Sequence, residues 1–197
     1  MKVYLIKASA LCRIIAIVWL TFTLTTLSSH PAANEHFCSN FSAVKSAHAS
    51  TEFKSINYGM NLKVPQEWEV AQSKTGDGPE INVSDPQQRM NITALRINMG
   101  QKISIPDIVE IMENEINAEI PFVASGKGTT LSSLKPLNQN FEINFKEYTG
   151  TLQEEELTVI IGYGCLKNKA YVIIGIYGSE DRAMRNNIIK VLESFSP

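Results

Sequence analysis

The sequence predicts an α+β domain: an antiparallel sheet with helices on one or both faces. Three observations point there. Turn signals are frequent and apolar runs short over most of residues 50–197, as in a sheet-rich chain. Two segments break that rhythm with helical spacing, and between them three long strand-like runs follow one another with only tight turns between. Strands, a helix, an antiparallel meander and a closing helix make an α+β order rather than an alternating parallel one.

The elements follow in chain order. Lys54 to Tyr58 and Met60 to Val64 read as an opening pair of strands, or one bent strand interrupted at Gly59; then comes Pro65-Gln-Glu-Trp68 and a strand through Val70. Glu80 to Ser84 and Met90 to Asn98 are strands parted by the turn-rich Asp85 to Arg89. In the first helix Ile105, Ile108, Met112, Ile116 and Ile120 form one apolar stripe, Ser104 is the N-cap with Asp107 three residues on, and Pro121 stops the run. Phe141 to Leu152, Glu156 to Leu166 and Lys169 to Tyr177 are the meander strands. The last of these is continuously apolar, as a strand in the middle of a sheet must be. The closing helix takes Ser179 as its cap and buries Met184, Ile188, Val191, Leu192 and Phe195, with acidic residues at its start and Lys190 near its end to suit the helix dipole.

The first 49 residues stand apart. Lys2, Lys7 and Arg13 precede Ile14 to Leu27, 14 residues without a charge, which is the length of a signal-peptide core and short of the roughly 20 residues of an unaided membrane span. The best small-x-small cleavage match, Ala47-His48-Ala49, lies well beyond the apolar run. Two readings stay open: a long presequence cut before Ser50, or an anchor from about Val3 to Leu27 that is retained, with Arg13 snorkelling. Both predict an exported domain on the non-cytoplasmic side, periplasmic, secreted or membrane-anchored. Residues before Cys38 do not form a lipobox. Residues 50–197, 148 in number, are the size of one domain.

Composition limits the chemistry. All three histidines, His30, His36 and His48, precede residue 50, so the domain lacks the commonest general base and zinc ligand. Of the three cysteines only Cys165 falls in the domain, which excludes an internal disulfide, and its apolar surroundings make it a small buried hydrophobe. The domain holds 14 basic and 19 acidic residues, a net charge of −5, which disfavours nucleic acid as a partner and leaves membrane contact to the N-terminal segment alone. Lys127 in Ser125-Gly-Lys-Gly128 lacks the spacing of a phosphate loop. Asn82-Val-Ser84 and Asn91-Ile-Thr93 fit the glycosylation sequon but fall within predicted strands. Glu154 to Glu156 at a hairpin tip is a solvated turn rather than a calcium site, because consecutive strand residues point to opposite sides. A pair such as Glu142 and Glu147 offers the one route to carboxylate catalysis, and nothing in the sequence brings it together. No catalytic, cofactor-binding or metal-binding residue is assigned and no cofactor is expected.

The opening Ile56-Asn-Tyr-Gly59-Met-Asn-Leu62-Lys-Val-Pro65-Gln-Glu-Trp68, and the ending of a strand at Tyr171 to Ile176 followed by a helix closing on Leu192-Glu-Ser194-Phe195, resemble the PsbP-like and DcrB-like group of exported accessory domains. The resemblance covers nearly all of residues 50–197. It implies an αβα sandwich, export or lipid anchoring, and a non-catalytic role as an assembly or stabilising partner, with no shared catalytic motif to carry over. Two functions follow. One is an accessory domain that binds a protein partner through a sheet face or the loops at Gly76 to Gly78 and Gly126 to Thr130, which predicts an exposed apolar or aromatic patch. The other is a small-ligand carrier or sensor, or weak enzyme, with a closed apolar cavity between the sheet and the first helix.

Overall fold

The computed structural model describes residues 52–75, 78–100, 102, 104–119, 128–134, 141–152 and 154–197, those at 75, 111, 114–119 and 152 by their backbone alone. Residues 1–49, the loop positions 76–77, Lys127, and the helix-stop residues Ile120 and Pro121 lie outside the described residues, as do the side chain of Ile116 and the choice between cut signal and anchor. No helix among the described residues is long and apolar enough to cross a membrane.

Nine strands and two helices are described. Strands β1 (Phe53–Asn57) and β2 (Asn61–Pro65) pair antiparallel as a separate hairpin, so the opening is a pair rather than one bent strand. Strands β3 (Glu69–Thr75), β4 (Gly78–Ser84), β5 (Met90–Asn98), β6 (Thr129–Thr130), β7 (Ile143–Leu152), β8 (Glu155–Leu166) and β9 (Lys169–Gly178) form one sheet. Its order is β3-β4-β5-β9-β8-β7-β6, antiparallel throughout, with β9 in the middle. Every residue of β9 from Ala170 to Tyr177 is buried, the burial on both faces that its unbroken apolar run requires. The short edge strand β6 carries no apolar alternation, and only its pairing with β7 defines it.

Helix α1 (Ile105–Glu119) lies on one face of the sheet. Ile105, Ile108 and Met112 enter a cluster with Leu95, Ile97, Val159, Ile161, Tyr163, Val172 and Ile174. Ser104 caps it as expected: its backbone N–H and hydroxyl both donate to the Asp107 carboxylate, while the Asp107 N–H donates back to the Ser104 hydroxyl. The hydroxyl bond draws the Asp107 carboxyl below its usual range. Helix α2 (Arg182–Glu193) and the β1–β2 hairpin cover the other face, burying Met184, Ile188, Val191, Leu192 and Phe195 against Ile92, Ala94, Ile160 and Ile173. Each such side chain removed from water contributes about 1.5–3 kcal/mol, so this continuous cluster holds the layers together. The cap of α2 is not Ser179 but Asp181, whose carboxylate accepts from the Met184 N–H at 2.9 Å. A capping acceptor must stand two or three residues before the N–H it meets. Ser179 lies too far back and instead hydrogen-bonds Thr158 across the strand end at 3.0 Å. Trp68 and Phe195 are both core residues, the latter stacked edge-on with Phe141.

Candidate functional site: an acidic cleft at one end of the sheet

Antiparallel pairing of β5 with β9 and β9 with β8 brings three turns to the same end of the sheet: Asp85 to Arg89 before β5, Glu154 before β8, and Gly178 to Asp181 after β9. Between them is an open cleft of about 630 Å³, lined by Gln87, Gln88 and Arg89, by Glu154 to Leu157, and by Gly178 to Asp181. Its lining carries five carboxylates, Glu154, Glu155, Glu156, Glu180 and Asp181, and one cation, Arg89.

The first turn is built on Asp85, which is 1% exposed. Its carboxylate accepts from the Met90 N–H at 3.1 Å and from Arg89 Nε at 3.0 Å, and its carbonyl accepts from the Gln88 N–H. Gln88 takes φ +56° to close the loop. Asp85 thus supplies the acceptor for a buried backbone donor, which otherwise costs 1–3 kcal/mol. Arg89 reaches from Asp85 to Asp181 (Nη1 to Oδ2, 3.5 Å), tying the β5 turn to the cap of α2. The third turn is stitched to β8 by the Ser179 N–H donating to the Glu156 carbonyl at 3.0 Å. The acidic run is exposed, with Glu154 at φ +72° in the hairpin turn. Its one cationic neighbour is already shared between two carboxylates, so the charge of Glu154 to Glu156 and Glu180 faces solvent uncompensated. Such a surface attracts cationic groups by general electrostatics.

Glu142 and Glu147, the pair raised for catalysis, are kept apart. Glu147 points toward α2, where Arg185 grips it with two hydrogen bonds, Nε to Oε1 at 2.9 Å and Nη2 to Oε2 at 3.1 Å, and Tyr177 donates to Oε1 at 3.2 Å. Burial, then the Glu147 charge, pushes the Tyr177 hydroxyl up to about 12. Glu142 is exposed and its charge acts on Cys165 of β8, a half-buried thiol that burial pushes up, away from thiolate reactivity. Glu155 and Glu156 pair with Leu152 and Thr151 as an ordinary ladder, and Glu154 stands in the turn before them. No group of three metal-binding side chains of the His, Cys, Asp and Glu types is found among the described residues.

Two further polar clusters flank α1. Lys146 and Tyr148 both donate to Glu113 Oε1, at 2.6 and 2.9 Å, fastening the helix to β7. On the α1 side of β3 to β5, buried Glu80 accepts from Asn82 at 2.7 Å and from Ser73 at 3.4 Å, and the Thr93 hydroxyl donates to Asn82 Oδ1 at 2.8 Å. Both sequon asparagines therefore lie in strands, Asn82 in β4 and Asn91 in β5, and Asn82 has its amide committed to Glu80.

The exposed apolar patch expected for partner binding is not present among the described residues: Leu166, 37% exposed, is the one large hydrophobic side chain at the surface. The cleft is polar and is built from neither of the loops expected to bind. Where described, α1 meets the sheet through the apolar cluster of Ile105, Ile108 and Met112 with Leu95, Val159, Ile161 and Val172. The cleft's components were visible in the sequence as separate turn and charge signals; only the strand order shows that they share an end.

No family model and no characterised protein matches the chain by sequence. Among solved structures, it is similar to a protein of Bacteroides thetaiotaomicron VPI-5482 (TM-score 0.47, 10% identity, 70% of this chain and 44% of that one), of whose length it spans less than half. It is likewise similar to LpqN of Mycobacterium tuberculosis, a protein involved in cell envelope biogenesis (TM-score 0.47, 11% identity, 74% of this chain and 91% of that one).

Proposed function

We propose that this chain is an exported, non-catalytic accessory domain of the cell envelope, with a PsbP-like αβα sandwich, that holds a protein partner by a basic segment in the acidic cleft. The observation that carries this reading is the cleft's charge: four exposed glutamates converge from two turns, while Arg89, the single cation in the lining, is spent on Asp85 and Asp181. A cleft open to solvent suits a chain segment laid across it better than a small molecule, which binds in a site that encloses most of its surface. Lysine and arginine side chains of a partner gain most where the facing carboxylates have no internal counter-charge.

A lysine-rich peptide titrated into the protein, followed by amide chemical-shift mapping, tests this. The expected result is saturable shifts confined to residues 87–89, 154–157 and 178–181, weakened as salt rises because exposed charges are screened. Shifts spread evenly over all acidic residues would show that the cleft is no preferred site and would remove the basis of the proposal.

A further inference from the structure

The opposite end of the sheet holds an arginine whose donors are almost idle. Arg96 of β5 lies on the α2 side, directly opposite Tyr171 of β9. Its Nε is wholly buried and has no hydrogen-bond partner among the described residues. Its one side-chain hydrogen bond among the described residues runs from Nη1 to the Gly59 carbonyl, and at 3.4 Å it is long. No ion pair among the described residues includes it. A guanidinium has five N–H donors in a planar fork and stays charged at every accessible pH, so this one is partly withdrawn from water with neither a counter-charge nor a full set of acceptors among the described residues.

The surroundings hold that arrangement in place. Gly59, at φ +68° in the β1–β2 turn, packs against the guanidinium so closely that a Cβ there would stand 3.0 Å from Nη1 and 3.2 Å from Pro79 Cγ. The Tyr171 ring is fixed edge-on between Phe141 and Phe195, at centroid distances of 5.3 and 6.2 Å. Its hydroxyl has no hydrogen-bond partner among the described residues; burial pushes its pKa up while the Arg96 charge draws it down. Lys74, exposed on β3, pairs with Pro79, which places a second cation on the same row of the sheet, two strands from Arg96.

We propose that Arg96 and Tyr171, with Lys74 at the rim, form a binding site for a small oxyanion, a carboxylate or a phosphate group. The guanidinium and the phenol each have donors to give, and an oxyanion offers the acceptors both lack; charge-assisted bonds to such a group are the strong kind. The glycine in the turn is what lets the hairpin close over the site without filling it.

The test uses the full chain and follows the Arg96 Nε–Hε resonance by NMR while inorganic phosphate or acetate is added, with sodium chloride at matched ionic strength as the reference. Saturable movement of that resonance supports the site; tighter binding of phosphate than of acetate assigns it to phosphate groups, and the reverse order to carboxylates. Tyr171→Phe keeps the ring packing and removes one donor, and it is expected to weaken binding about tenfold. Arg96→Lys, read from the backbone amide of Tyr171 opposite it because the variant has no Nε–Hε group, is expected to abolish saturation. Unsaturable movement matching the chloride series, or an unchanged affinity in Tyr171→Phe, overturns the proposal.

Discussion

The two ends of the seven-stranded sheet differ in charge and in how that charge is used. At the cleft end Asp85, Glu154, Glu155, Glu156, Glu180 and Asp181 meet Arg89, which is bound to two of them. At the far end Lys74, Arg96, Lys102, Lys167 and Lys169 gather around the strand ends and the start of α1, with Glu80, Asp107 and Glu142 among the acidic residues there. A net charge of −5 over residues 50–197 therefore conceals a polar molecule. A negative net charge works against polyanions only in general, and it says nothing about a local site such as that at Arg96. The ends also differ in commitment: the cation of the acidic end is tied to two carboxylates, whereas the arginine of the basic end is in no ion pair among the described residues.

Substitutions that separate architecture from charge sharpen this contrast. The largest effect is expected at the basic end from Gly78→Ala. A Cβ there would lie 1.9 Å from the Arg96 carbonyl oxygen, at φ +152°, so β4 and β5 must part locally; a loss of about 3 kcal/mol or more by denaturant unfolding is expected. At the acidic end Asp85→Ala leaves the buried Met90 N–H without its acceptor and frees Arg89, and is expected to cost about 2 kcal/mol. Asp85→Asn, which keeps an acceptor, is expected to cost less, and equal losses in the two would show that Asp85 acts through charge alone. Asp181→Ala removes the α2 cap and the second tether of Arg89, for a loss of about 1 kcal/mol.

The smallest effect is a pH dependence. The Tyr177 hydroxyl is raised from 10.0 to about 12, by burial first and Glu147 next, so the protonated phenol is favoured in the folded state. Its contribution to stability is complete below pH 10, where folded and unfolded chains are both protonated. It is lost as pH rises from about 10 to 12, where the unfolded chain ionises first. Thermal melts across that window are expected to fall less steeply in Tyr177→Phe than in the parent protein, and identical slopes would contradict the assignment.

Much of this fold was legible because its pattern is local. The unbroken apolar run of β9 placed it at the sheet centre, Ser104 and Asp107 marked the start of α1, and the spacing of Met184, Ile188, Val191 and Leu192 gave the buried face of α2. What stayed hidden depends on partners distant in sequence. Asp181 rather than Ser179 caps α2 because the helix begins at Arg182, which leaves Ser179 too far back and free to bond Thr158 across the strand end. The isolation of Arg96, and the partition of Glu142 and Glu147 between different neighbours, likewise require the register of β5, β7, β8 and β9. The acidic run was read correctly as exposed, but its meeting with the β5 turn and the α2 cap follows from strand order, which no local pattern encodes.

Site-specific photo-crosslinking in the cells that make the protein tests the central claim most directly. A crosslinking residue is placed in turn at Glu155 in the cleft and at Leu166, exposed at the opposite end. The account predicts a discrete crosslinked protein from position 155, lost when Glu154→Lys and Glu156→Lys are combined, and none from position 166. Equal crosslinking at both positions, or a product at 155 that survives charge reversal, would contradict it.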